Sequence, residues 1–309
     1  MVAPIDVPRY AIAVPQYVDD AGFDEAGFRA HLTRAEELSF DGAWVQEQVL
    51  GSAPALSPIV ALAYAAACTT RLRLGCAVFV TPLHNPVQLA RNLGSLDQVS
   101  HGRLEVGVGT GGRGRPFEAF GVDPSTFVTR FTEGLELMKA CWSEHEINFD
   151  GHFWRLEGQA MEPKPVQRPH PPIWIGGSHP NAVRRAVRLG DGFFGAGSQT
   201  TARFAEQVRL VREELAGRAR ERSDFAIAKR VYIHVDDYEP RARELIAAAL
   251  ERHYGHGGLE PVAVAGPPGV CADGLREVLR AGAEMILLNP LLDDMNQLER
   301  LAGEVLPQL

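Results

Sequence analysis

Residues 72–80 read Leu-Arg-Leu-Gly-Cys-Ala-Val-Phe-Val, residues 86–99 read Pro-Val-Gln-Leu-Ala-Arg-Asn-Leu-Gly-Ser-Leu-Asp-Gln-Val, and residues 103–109 read Arg-Leu-Glu-Val-Gly-Val-Gly. The outer two runs are short and largely apolar, the length of a strand. The middle run places Leu89, Leu93 and Leu96 on one face of a helix. Near-continuous apolar strands separated by a helix predict a parallel sheet covered on both faces.

The alternation continues in both directions. Upstream, Tyr10–Gln16 and Gly42–Glu47 read as strands. Asp24–Leu38 is helical, with Phe28, Leu32, Ala35 and Leu38 on one face, and Ser57-Pro58 opens an Ala-rich helix to Thr69. Downstream come a helix over 125–142 and a hairpin, Ile147–Phe149 and Phe153–Leu156, turning at Asp150-Gly151. The Pro-rich connector Pro163–Pro172 then leads to strands Ile173–Gly176, Gly192–Ala196, Phe225–Val235 and Met285–Leu288. Helices are expected at Asn181–Leu189, Thr201–Arg222, Pro240–Tyr254, Val270–Ala281 and Asp293–Leu306. These make eight parallel-type strands with no linker or composition step, so residues 1–309 are expected to form one α/β domain. A single (β/α)8 TIM barrel with insertions at its C-terminal mouth accounts for them better than a doubly wound sheet.

Lys and Arg number 31 against 39 Asp and Glu, a net charge of −8 in 309 residues. That argues against nucleic acid or an anionic membrane as partner. Cys68, Cys76, Cys141 and Cys271 stand singly, with no metal-ligand spacing, which reads as reduced thiols in a cytoplasm and no metal. Asp6 and Arg9 make the start unlike a signal peptide, and Gly51, Pro54 and Pro58 break the uncharged run Gln48–Thr70, so no membrane span is expected.

Two glycine patterns point to a ligand. Gly107, Gly109 and Gly112 match GxGxxG, but Arg113 and Arg115 follow and the next helix starts only near Ser125. The dinucleotide reading is therefore weak. A strand end that lets something flat approach its backbone, or a tight strand-to-loop exit, accounts for it better. Strand Trp174–Gly176 runs into Gly177-Ser178-His179-Pro180, and the next strand ends in Gly195-Ala196-Gly197-Ser198. Amides at such a helix start form an anion site, and two neighbouring loops of this kind point to phosphate. No ATP P-loop, GxSxG elbow or HExxH zinc motif is present.

Gly75, Pro82, Pro86, Ala90, Leu96, Asp97, Ser100, Gly102, Arg103, Gly107, Gly109 and Gly111 match a longer pattern. So do the run PKPVQRPHPPIWIGG at 163–177, the Asp191-Gly192 pair, and AGPPGV and AGAEMILL at 265–270 and 281–288. Together they resemble the luciferase-like monooxygenase family over essentially the whole chain, and most of all its coenzyme F420-dependent oxidoreductases. The resemblance implies a barrel, often a homodimer, with one flat cofactor at the C-terminal mouth and a small-molecule substrate. Coenzyme F420 is the implied cofactor. The alternatives are an FMN-dependent monooxygenase fed by a separate reductase and a non-catalytic cofactor-binding barrel.

For the site, the resemblance implies a non-proline cis peptide at Ala77–Val78, against which the ring would lie. Gly109, Thr110 and Gly111 would flank the ring, and Gly176, Gly177, Ser178, Gly195, Ala196, Gly197 and Ser198 would hold the phosphate. Arg113, Arg115, Arg184 and Arg185 are available for the carboxylates of the coenzyme tail. Where the family often has an acid-histidine pair, this chain has Glu47-Gln48. An amide is no general acid or base. Glu47 is therefore the candidate for positioning the ring or relaying a proton, and His84 the candidate substitute acid. His253 and His256 read as part of a mobile rim, and residues 113–122 and 238–266 as the walls of the substrate pocket. Trp44, Trp174 and His101 read as structural, and Glu105 as a buried charge needing Arg71 or Arg73.

Overall fold

The computed structural model describes residues 7–18, 20, 22–50, 54–111, 117–218 and 225–309. The strands are β1 (Arg9–Ala13), β2 (Gly42–Val45), β3 (Arg73–Val80), β4 (Leu104–Gly109), β5 (Ile147–Asp150), β6 (Arg155–Gln159), β7 (Ile173–Gly176), β8 (Gly192–Gly195), β9 (Ala226–Val235), β10 (Ala263–Gly266) and β11 (Met285–Asn289). The helices are α1 (Glu25–Glu37), α2 (Pro58–Cys68), α3 (Pro86–Val99), α4 (Phe127–Ser143), α5 (Pro180–Leu189), α6 (Thr201–Gly217), α7 (Glu239–Tyr254), α8 (Pro268–Arg280) and α9 (Asp294–Arg300). Eight strands pair in parallel in the order β9-β11-β1-β2-β3-β4-β7-β8, and β8 pairs back onto β9. The sheet is a closed (β/α)8 TIM barrel.

Alternation along each strand divides the core in two. Ile12, Leu74, Val106, Ile175 and Ile227 face outward and pack against the helices. Ala11, Trp44, Trp174, Phe194, Ala226, Ala228, Met285 and Leu287 face inward and fill the barrel. Both tryptophans are thus interior packing. Each fully buried apolar side chain contributes roughly 1.5–3 kcal/mol. Below them Glu105 lies on the barrel floor. It accepts from Arg9 Nη2 at 2.7 Å, from Arg73 Nε and from Trp174 Nε1 at 2.8 Å. Arg73 is the partner, together with Arg9. Arg71 instead donates its backbone N–H to Glu36.

Some boundaries move. Residues 263–266 were expected to be rim; they form β10, which pairs with Tyr232–Val235 and stands outside the closed ring. The hairpin turn is longer than expected, with Gly151 N–H donating to Trp154 O and β6 starting at Arg155. Helix α6 ends at Gly217, and the remainder of its expected span, at 219–222, lies outside the described residues, as does the start at 1–6. Among the described residues no helix is long and apolar enough to cross a membrane.

Candidate active site

The C-terminal ends of β3, β4, β7, β8 and β9 enclose a cavity of about 700 Å³, the size of a cofactor cleft. Its walls include Ala77, Val78, Gly109, Thr110, Gly111, Gly176, Gly177, Ser178, Gly195, Ala196, Gly197 and Ser198. The structure therefore brings into one cavity the residues expected at 77–78, 109–111, 176–178 and 195–198, but not Gly107. Gly112, Arg113 and Arg115 lie outside the described residues.

The Ala77–Val78 peptide is cis, and the pairing register of β3 with β4 shifts between Cys76 and Phe79. This irregularity accounts for the glycines. A Cβ on Gly107 would lie 2.0 Å from Cys76 O, one on Gly109 would lie 2.7 Å from Val78 Cγ2, and one on Gly176 would lie 2.9 Å from Val78 Cγ1. The neighbouring strands carry glycine because β3 bulges into their space. The glycines shape the cavity indirectly, by admitting Val78.

The amides at the start of α5 are largely occupied, contrary to the expectation of a free helix start. His179 Nδ1 accepts from Asn181 N–H at 3.1 Å, and Ala182 N–H donates to His179 O at 2.8 Å. Around the loops, Gln207 Nε2 donates to Ser178 O at 3.0 Å, and Lys229 Nζ donates to Ala196 O and Gln199 O at 3.1 and 2.8 Å. Burial brings the Lys229 ammonium down to about 8. Arg185 also faces the cavity; its Nε is buried without a hydrogen-bond partner, and its guanidinium stands 5.6 Å over the Phe131 ring. Burial, and then the charge of Arg188, lower its pKa.

Glu47 and His84 are brought to each other, and neither is among the cavity-lining residues. Glu47 Oε2 accepts from Val80 N–H at 2.6 Å, and Oε1 lies 2.8 Å from His84 Nε2. The pair ties the end of β3 to the turn after it, from behind the cavity wall. The inward place after β2 belongs to Gln46. Its Oε1 accepts from Arg230 Nη1 at 2.7 Å, and Arg230 Nη2 donates to Ala77 O. Sequence reading missed Arg230. The available signal was a Lys229-Arg230 pair inside an otherwise apolar strand. On β9, Lys229 is outward beneath the β8 loop and Arg230 inward at the mouth. No carboxylate among the described residues pairs with Arg230. Burial disfavours its charge, but Tyr232 and Tyr254 more than compensate and its pKa is raised.

His253 is not in a rim loop. It sits in the last turn of α7 with its ring 4.9 Å from that of Tyr254 and 6.0 Å from that of Tyr232. Burial and then Arg230 push its imidazole down to about 4. His256 lies beyond α7 and is exposed. His101 occupies the turn before β4 with φ 55°, a structural place.

A family model described as luciferase-like monooxygenase matches residues 2–266. The chain belongs to the luciferase-like monooxygenase family. The F420-dependent glucose-6-phosphate dehydrogenase of Intrasporangium calvum is 27% identical over 323 residues, covering 90% of this chain and 93% of that one. The FMNH(2)-dependent dimethylsulfone monooxygenase of Pseudomonas putida is 30% identical over 189 residues, covering 60% and 51%. The crystal structure of monooxygenase RslO1 from Streptomyces bottropensis superposes with a TM-score of 0.84 at 24% identity, covering 97% and 99%, a likeness of fold. The chain spans about half the length of the first curated relatives it matches, 46% and 58%. Of the relatives named here, one is a dehydrogenase and the other a monooxygenase.

Proposed function

We propose that the barrel binds coenzyme F420 in the 700 Å³ cavity and serves an oxidoreductase reaction on a small organic molecule. The observation that carries this reading is a run of guanidiniums leading out of the cavity. Asn181 and Arg185 line both the cavity and an adjoining hollow of about 270 Å³, which Arg184, Arg188 and Arg218 complete. Among the described residues the carboxylate that pairs with these four cations is Glu214, at 3.0 Å from Arg184 Nε and 3.9 Å from Arg218 Nε. A groove with four arginines and one paired carboxylate among the described residues, on a chain of net charge −8, calls for an anionic ligand. FMN ends at its phosphate. F420 continues past its phosphate with carboxylates, which such a groove suits.

When bound, the deazaflavin supplies a carbon that gives or takes a hydride without activating oxygen. The chain's own residues divide the remaining work. Ala77 and Val78 present the wall for the ring, and Arg230 holds that wall through the Ala77 carbonyl. The loops at 176–178 and 195–198, with Arg185, hold the phosphate; Arg184, Arg188 and Arg218 hold the tail. Glu47 and His84 act as positioning residues behind β3. The homodimer belongs to this reading and is checked by light scattering.

The FMN reading is supported by the FMNH(2)-dependent relative. Anaerobic fluorescence titration of the purified chain with F420, FMN and FMNH2 decides between them. We expect F420 to bind at least tenfold more tightly than either flavin, a difference of about 1.4 kcal/mol. Tight FMN binding without F420 binding overturns the proposal. If F420 binds and a broad substrate panel shows no turnover, the barrel is a carrier.

A further inference from the structure

We infer that a second pocket, between the end of β1 and the first turns of α1 and α9, binds a small alkylammonium ion. The pocket has a volume of about 210 Å³ and is separate from the main cavity. The inference does not rest on the redox reading above.

His31, on α1, lines the pocket and is 1% exposed, yet neither ring nitrogen makes a well-formed hydrogen bond, the Ala13 backbone approaching it only weakly. Buried polar side chains in folded proteins are almost always satisfied, so an orphan imidazole facing a pocket points to a missing partner. Burial pushes His31 down to about 4, against a smaller opposite effect of the Ala13 carbonyl, so the ring is neutral at neutral pH and one nitrogen is a bare acceptor. The partner must therefore bring a donor.

The charges lining the pocket are Asp24 and Asp294. Asp24 Oδ1 accepts from Gly27 N–H at 2.9 Å. Among the described residues no Lys or Arg pairs with either carboxylate, and Arg29 on the same helix is engaged by Glu25 and Tyr64. Asp293, beside Asp294, adds further negative charge. The remaining walls include Tyr17, Phe23 and Phe28. Phe23 and Phe28 stand edge to face at 5.3 Å. Aromatic faces beside unpaired carboxylates recognise an organic cation through cation–π and charge attraction together. A water would satisfy His31 but bring no positive charge to Asp24 and Asp294. A bare metal ion would lack oxygen ligands on the aromatic side, and no group of three ligating side chains exists among the described residues. The volume holds roughly seven waters at about 30 Å³ each, which limits the ligand to a few heavy atoms. An alkylammonium supplies N–H donors to His31, charge to Asp24 and Asp294, and methylenes to the rings.

The test uses n-butylammonium chloride as probe, with butan-1-ol as the neutral control, on the full chain at neutral pH by calorimetry. We expect saturable binding at one site with a Kd below about 10 mM, and the alcohol at least about tenfold weaker. Asp294→Asn, which keeps the shape and removes the charge, should weaken butylammonium at least about tenfold. Phe23→Leu removes a ring at a 38% exposed position that the fold tolerates, and should weaken it several-fold; it carries the test if the Asn variant does not fold. Arg155→Ala, on the exposed hairpin strand β6 and not among the pocket's lining residues, should leave binding unchanged. No saturable binding, equal binding of the alcohol, or full affinity in both pocket variants overturns the inference.

Discussion

Glu105, buried, and Asp294, half-buried, are carboxylates with opposite fates. Burial raises the pKa of Glu105, but Arg9 and Arg73 more than compensate, and the net direction is below its ordinary 4.5. A depressed carboxyl contributes stability that is present at neutral pH and lost as the pH falls through its folded pKa. Glu105→Gln should therefore cost about 3 kcal/mol at pH 7, because it leaves two guanidiniums facing each other. The gap to wild type in thermal melts should close below 4.5. Among the described residues Asp294 has no such partner. Burial first, and Asp293 second, hold its carboxyl up from 3.8 to about 6. Its ionisation destabilises the fold, and that cost sets in as the pH rises from 3.8 to about 6. Asp294→Asn should be more stable than wild type at alkaline pH by about 1–3 kcal/mol and equal to it in acid. Chemical denaturation at both ends of that range reads the sign.

Elements are legible in this chain wherever a local rule applies. Asn85, just before Pro86, caps α3 by accepting from Val87 and Gln88 N–H, worth about 1 kcal/mol. The motif residues Asp97 and Arg103 serve packing between elements. Asp97 accepts from Gln167 N and Nε2 at 2.9 and 2.7 Å and so anchors the Pro-rich connector. Arg103 donates to the carbonyls of Ala66, Thr69 and Leu72 at the end of α2. The β3 irregularity makes a sharper claim on its neighbours. Gly109→Ala should destabilise by about 1–3 kcal/mol through overpacking, since the new methyl would meet Val78 Cγ2 at 2.7 Å. Adding Val78→Ala removes the obstructing methyls and should recover part of that loss. A double variant no more stable than the Gly109→Ala single would show that the glycine serves something other than Val78.

For the whole molecule, the decisive quantity is where charge sits. A net charge of −8 predicts weak binding of anions in general, yet Arg185 borders the cavity and Arg184, Arg188 and Arg218 line the adjoining hollow, with Glu214 their paired carboxylate among the described residues. Coenzyme affinity should therefore weaken with added salt, with surface attraction screened over about 8 Å at physiological ionic strength. Arg188→Glu should reduce F420 affinity at least about tenfold while leaving FMN nearly unchanged, because the shorter molecule ends before the groove. Fluorescence titration of both ligands at low and high salt checks this. Equal losses for the two would place the effect on the phosphate instead of the tail.

The sequence by itself favoured the barrel over a doubly wound sheet, since strand and helix periodicities are local and eight apolar strands alternate with helices; the pairing of β8 with β9 closed it. It also determined the glycine loops, because strand ends in a barrel of this order meet at one mouth. What it could not determine was the direction of a side chain at a strand end. Glu47 and Gln46 are adjacent, and a single residue step exchanges the two faces of a strand. Tertiary structure turned Glu47 outward to His84 and Val80, and Gln46 inward to Arg230. Arg230 gained its place in the same way, from a partner 153 residues away, the Ala77 carbonyl. Contacts of that range follow from closure of the sheet, in which β8 and β9 meet across the seam, and no local pattern of residues encodes them.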